Sequence, residues 1–225
     1  MVFCALLCSV QTLTEELTHR GLADQLLTEA DLAWLLDGTP QRRHHLVNRA
    51  MKAGELIQVR RGRYVLSERY RHTRPHPFAL AQAFVPGSYV SFETALAHHG
   101  WIPEAVRVTA SVTPGRKSLT AEHPTFGSFS FHPLAIQHGY FLELVEHIEI
   151  EKQSMLVAKP IRALADLVAS SKRAWQGLGW LTDGLRIEEE SLQSITSADI
   201  ELLIQVYRYK RVAAFVRSLA KELRL

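Results

Sequence analysis

The chain has 225 residues, 47% of them apolar, enough to bury one large core or two small ones. Its net charge of +3 does not by itself imply a nucleic-acid partner. The only cysteines, Cys4 and Cys8, share the N-terminal tail, which excludes a disulfide framework and fits a reducing cytoplasm. No apolar run reaches the ~18–20 residues of a membrane span, so no membrane partner is expected. The opening Met1-Val2-Phe3-Cys4-Ala5-Leu6-Leu7-Cys8 has the apolar look of a signal h-region. It lacks a basic n-region and a small-residue cleavage site, and reads as a first helix or a frayed tail.

In chain order, Leu13–Leu27 predicts a helix with a break at Gly21. Thr28 can cap the next helix, whose first turn carries Glu29 and Asp31, and Asp37-Gly38 ends it. Thr39 then caps a third helix with Pro40 in its first position, where a missing N–H is harmless. That helix runs to Ala53 and stops at Gly54. Leu56–Val59 and Tyr64–Leu66 read as two strands around the tip Arg60-Arg61-Gly62-Arg63. The His-, Arg- and Pro-rich stretch 69–77 reads as a linker.

A second unit follows. Helices are expected at 78–85, from Phe92 to about His99, and at 160–170, the last opened by Pro160. Strands are expected at 106–113, 126–132, 141–151 and 155–157. Residues 191–225 read as largely helical, with Ser197 capping a last helix that runs from about Ala198 to Leu223. The fold class expected is α+β: a winged helix-turn-helix over residues 1–70, a linker at 71–77, and a mixed α/β domain at 78–225 ending in helices.

Charge distribution says more than net charge. Between Gly38 and Pro75 stand ten Arg/Lys residues (Arg42, Arg43, Arg49, Lys52, Arg60, Arg61, Arg63, Arg69, Arg71 and Arg74) against only Glu55 and Glu68. That is the electrostatic footprint of a module that meets phosphates. At 100° per residue, Leu46, Val47, Ala50 and Ala53 share one arc of the third helix. Gln41, Arg42, His45, Asn48, Arg49 and Lys52 share the opposite arc. Arg can bond guanine and Asn or Gln adenine in a bidentate way, and a helix fits the major groove. Arg43 falls toward the apolar arc and must reach around or pair locally. Arg60, Arg61 and Arg63 at the hairpin tip complete the candidate surface, as a wing against the backbone or the minor groove. A basic helix face or a basic turn alone is often just a solvated surface; the order helix, capped helix, capped basic helix, basic-tipped hairpin is more specific. Double-stranded DNA is the expected partner, with RNA or a protein contact through the wing as the alternatives.

The string from Ala53 to Leu66, AGELIQVRRGRYVL, resembles the wing of the AbiEi-type antitoxins, the regulator halves of type IV abortive-infection toxin-antitoxin systems. The likeness continues in Val85–Gly100 (VPGSYVSFETALAHHG), Trp101–Ala105, Ser111–Thr113 and Ala158–Asp166 (AKPIRALAD). In the last segment the family more often has an acid and a lysine after the proline, where this chain has Ile161 and Arg162. The resemblance spans roughly residues 25 to 170; the segment from Trp175 to Leu225 carries no motif of it. It implies a DNA-binding autorepressor acting on its own operator, and a C-terminal domain that counteracts a nucleotidyltransferase-like toxin.

Other constellations carry little chemistry. His98 and His99 are adjacent and cannot share a helix face, and no zinc-ligand spacing accompanies them or the Cys4–Cys8 pair. No Walker, Rossmann or nucleophile-elbow pattern appears, so no catalytic residue, metal or cofactor is expected. Arg162 and Asp166, one helical turn apart, read as a surface ion pair. Two other readings stay open: an enzyme whose second unit modifies a partner, and a plain transcription factor with a ligand-sensing second domain. The apolar positions of the last helix, Ile200, Leu203, Val206, Tyr207, Phe215, Val216, Leu219 and Leu223, exceed one stripe, with Leu202, Ile204, Tyr209 and Val212 spread around it. They imply either docking onto the second unit or a homodimer matched to a palindromic operator.

Overall fold

The computed structural model describes residues 13–36 and 38–225; the Cys4–Cys8 pair, the Met1–Cys8 segment and Asp37 lie outside the described residues. The chain divides into two compact units, one up to His76 and one from Pro77 onward.

In the first unit, α1 (Leu13–His19) is shorter than the helix expected to Leu27. Gly21 sits at φ +70, a left-handed conformation that stops a helix, and the chain turns before the short strand β1 (Leu27–Thr28). Then come α2 (Glu29–Leu35), α3 (Pro40–Lys52), and the hairpin of β2 (Leu56–Arg60) and β3 (Arg63–Leu66). The three strands form an antiparallel sheet in the order β1-β3-β2. Leu17, Leu27, Leu32, Val47, Leu56 and Leu66 meet in its core.

The stretch expected as a linker from residue 71 starts inside this unit. The Asp24 carboxylate accepts the backbone N–H groups of His72 and Thr73 at 2.7 and 2.9 Å. Burial works against the Asp24 charge, yet these bonds win and hold its carboxyl below the usual range.

The second unit holds a six-stranded mixed sheet in the order β6-β7-β5-β4-β9-β8. Its elements are α4 (Pro77–Phe84), β4 (Tyr89–Val90), α5 (Phe92–His98), β5 (Val108–Thr113), β6 (Leu119–His123), β7 (Gly127–Pro133), β8 (Val145–Ile150), β9 (Gln153–Ala158) and α6 (Pro160–Ser171). After a π-turn at Trp180–Gly184 come α7 (Glu189–Gln193), α8 (Ser197–Val206) and α9 (Lys210–Leu223). Pairs β5–β7 and β4–β9 are parallel; β4–β5, β6–β7 and β8–β9 are antiparallel. The architecture is therefore mixed α+β. Among the described residues no helix is long and apolar enough to cross a membrane.

Four expectations for this unit are corrected. Strand β6 was not foreseen: it is a mostly exposed edge strand, so burial imprints little alternation on it. The strand expected from Phe141 begins at Val145, after turns whose carbonyls have another use. The single helix expected from Ala198 to Leu223 is two helices, and its cap is Thr196, not Ser197: Thr196 Oγ1 accepts the Asp199 N–H at 3.2 Å in a capping box. The break comes at Tyr207, which is extended (φ −105, ψ 144) and bridges to Ile136. With two helices, Ile200, Leu203 and Val206 on one, and Val212, Phe215, Val216 and Leu219 on the other, are all buried within the chain.

The fourth correction concerns Arg162 and Asp166, which are no surface pair: both side chains are 0% exposed. Arg162 Nε donates to Asp166 Oδ1 at 3.1 Å, and its Nη atoms reach the Glu143 and Phe141 carbonyls at 2.5 and 3.3 Å. Asp166 also accepts from Ser91 Oγ (2.6 Å), Tyr89 OH (3.0 Å) and Tyr207 OH (2.6 Å). Burial alone would drive the proton off Arg162, but the Asp166 carboxylate reverses that and holds the guanidinium charged more firmly than usual. One buried ion pair thus ties β4, the 141–143 turn, α6 and the α8–α9 junction together.

Candidate nucleic-acid interface

Helix α3 forms because both its ends are specified. Thr39 Oγ1 accepts the Arg42 N–H at 3.3 Å, Pro40 occupies the first turn, and Gly54 (φ +67) follows the C-cap Ala53. Val47 and Ala50 are buried against α1 and α2, and Leu46 is half-buried. Ala53, placed on the apolar arc by periodicity, is exposed, because the helix ends there and no longer faces the core.

The opposite face is open as expected. Gln41, Arg42, His45, Arg49 and Lys52 are exposed, and Asn48 is half-buried. Asn48 Nδ2 lies 2.9 Å from His44 Nε2, so His44, which periodicity did not single out, orients the amide from one turn earlier. Arg43 pairs locally: its Nη1 donates to the Gly38 carbonyl at 2.8 Å, turning it back toward the start of its own helix.

The hairpin closes through Arg61-Gly62, with Arg60 opposite Arg63 and a register irregularity between Gln58 and Arg60. Arg60 and Arg61 are exposed; Arg63 is half-buried and its Nη1 lies 3.3 Å from the Gly62 carbonyl. Gly62 sits at φ +75, and a Cβ there would lie 3.3 Å from Glu29 Oε1. The backbone conformation is what calls for glycine here; the Glu29 side chain, whose flexible end can shift, only crowds the position. Thr28 does double duty: its side chain caps α2 through the Asp31 N–H at 3.1 Å, and its backbone pairs with Arg63. This pairing fixes the hairpin against the start of α2. A cleft of about 200 Å³ lies between α2, α3 and β3, rimmed by Glu29, Arg43 and His44.

All ten predicted site residues are therefore in this unit, on α3 and the hairpin. Elsewhere, the His99 Nε2–H donates to the Ala158 carbonyl at 3.0 Å, a structural hydrogen bond within the second unit.

No family model matches the chain, and no curated protein does. Among solved structures, the crystal structure of the RV2827C protein from Mycobacterium tuberculosis is similar, with a TM-score of 0.59 over 93% of this chain and 75% of that one, at 14% identity. At this identity the likeness is one of fold: the two chains share a mixed α+β architecture.

Proposed function

We propose that the first unit is a winged helix-turn-helix, that it binds double-stranded DNA, and that the chain is an autorepressor and antitoxin of the AbiEi type. One observation carries the DNA reading. A doubly capped helix presents Gln41, Arg42, His45, Asn48, Arg49 and Lys52 on its solvent face, in the same unit as a hairpin tipped by Arg60 and Arg61. In this reading α2 and α3 are the helix-turn-helix, α3 enters the major groove, and the β2–β3 hairpin is the wing along the backbone. Arg42, Asn48 and Arg49 read base edges; the tip arginines neutralise phosphates.

Gel-shift titration on the DNA upstream of the protein's own gene tests this. Arg42→Ala, Asn48→Ala and Arg49→Ala should each lose about 1–3 kcal/mol of discrimination between operator and unrelated DNA. Unchanged specificity in all three variants removes α3 as the reader.

The antitoxin role rests on the motif resemblance in the second unit. A neighbouring gene for a nucleotidyltransferase-like toxin, and rescue of growth when the two are co-expressed, are its expected signatures. A C2 dimer would match a palindromic operator, and sedimentation of the chain with and without operator DNA tests for it.

A further inference from the structure

The second unit contains a cleft that the DNA-binding reading does not use. Its volume is about 540 Å³, within the range of sites for small organic molecules. The floor is one face of the mixed sheet: Val108 and Ala110 on β5, and Ser130 and His132 on β7, alternate residues on parallel strands paired Ala110 to Ser130. Leu167 of α6 and Leu185, just past the π-turn, add apolar wall.

Phe92 lines the cleft where β4 passes into α5. It is a buried, bulky residue at φ +56, a left-handed conformation that costs of order 1–3 kcal/mol without glycine. Its ring stands edge-on to His132, with centroids 5.4 Å apart at 82°. Strain of this kind persists where the surroundings over-determine it, and it gathers at ligand clamps.

The charges in the cleft are unbalanced. At the rim, Glu104 is neutralised by Arg186, whose Nε donates to Oε1 at 2.8 Å. Glu93, next to Phe92, is half-buried and bonds to no donor among the described residues. No cationic Lys or Arg side chain lines the cleft. An anionic ligand would meet repulsion; a cation or a strong N–H donor would meet a carboxylate in a cleft otherwise lined largely by apolar side chains.

We propose that this cleft binds a small organic cation: an apolar or aromatic body, seated between Phe92, Val108, Leu167 and Leu185, that bears an amine or amidine placed against Glu93. The site lies wholly within the second unit and stands whether or not the first unit binds DNA.

The test is an NMR titration of the isotope-labelled full chain with benzamidine, and in parallel with benzoate and benzyl alcohol as anionic and neutral isosteres. Benzamidine should give saturable shifts at the amides of Val108, Ala110, Ser130 and Leu185. Its affinity should be millimolar and about tenfold above that of either isostere, because one charge-assisted bond separates them. Glu93→Gln should remove that advantage and leave benzyl alcohol unaffected. Ala110→Leu, which fills the floor, should abolish shifts with all three probes. The proposal is overturned by equal binding of benzoate, by an unchanged benzamidine affinity in Glu93→Gln, or by the absence of saturable shifts at these amides.

Discussion

Replacing Arg162 by methionine keeps most of the side chain's length and removes its charge. Asp166 would then be a carboxylate at 0% exposure without its cation, held only by the hydroxyls of Tyr89, Ser91 and Tyr207. The Glu143 and Phe141 carbonyls would lose the guanidinium donors they now accept from. Breaking a buried pair from one side costs about 3–5 kcal/mol, because the remaining charge stays buried and uncompensated. For a chain of this size, each kcal/mol moves the melting temperature by about 2–4 °C, so Arg162→Met should lower it by roughly 6–20 °C. Arg162→Lys keeps a charge but gives three donors in place of five and no planar fork, and should fall between the two. Thermal and urea unfolding of the full chain measure this. A methionine variant within about 1 kcal/mol of the parent would refute the idea that this pair holds the second unit together.

The same cluster predicts an alkaline limit. Burial first, and then the Asp166 charge, hold the Tyr89 and Tyr207 hydroxyls protonated well above their ordinary value of 10.0. Above that pH the unfolded chain releases both protons while the folded one keeps them. Stability should therefore be intact below pH 10 and fall above it by about 1.4 kcal/mol per pH unit for each tyrosine. Urea midpoints between pH 9 and about 11.5 should show this, and Tyr207→Phe should halve the slope; an undiminished slope in that variant would contradict it. At the hairpin, Arg60→Ala, Arg61→Ala and Arg63→Ala combined should flatten the salt dependence of DNA binding by about two to three units of log–log slope, near 0.9 per lost phosphate contact. A parent slope in that triple variant means the tip does not touch DNA. Gly62→Ala should cost about 1–2 kcal/mol in the unfolding free energy, through its positive φ, and a melting temperature equal to the parent's would show the tip to be adaptable. A chain ending before Ser197 loses Tyr207 and the apolar faces of α8 and α9, and should aggregate on light scattering rather than remain a soluble monomer.

Much of the first unit is legible because its information is local. Thr28, Thr39, Pro40, Gly54 and Gly62 act within a few residues of themselves, through caps and turn conformations, so the boundaries of α2, α3 and the hairpin can be read one segment at a time. The basic face of α3 follows from a 3.6-residue period once those boundaries stand. The side chain of Arg43 was also foreshadowed: periodicity turned it from the outward arc, and it bonds Gly38.

What sequence order does not carry is which distant groups share a buried polar site. Arg162 and Asp166 are four apart on a helix, a spacing that suits a solvated pair as well as a buried one. The decision belongs to Tyr89, Ser91, the 141–143 carbonyls and Tyr207, up to 77 residues away, which close over the pair and satisfy it. Tyr207 also splits the expected terminal helix, since pairing with Ile136 and bonding Asp166 require an extended residue where propensity alone would continue the turn. The sequence by itself determined the caps of α2 and α3, the hairpin tip and the basic helix face, because each depends on neighbours along the chain. Only the tertiary structure decided the buried ion pair, the break at Tyr207 and the cleft beside Glu93, because burial is a property of surroundings that folding assembles from segments far apart.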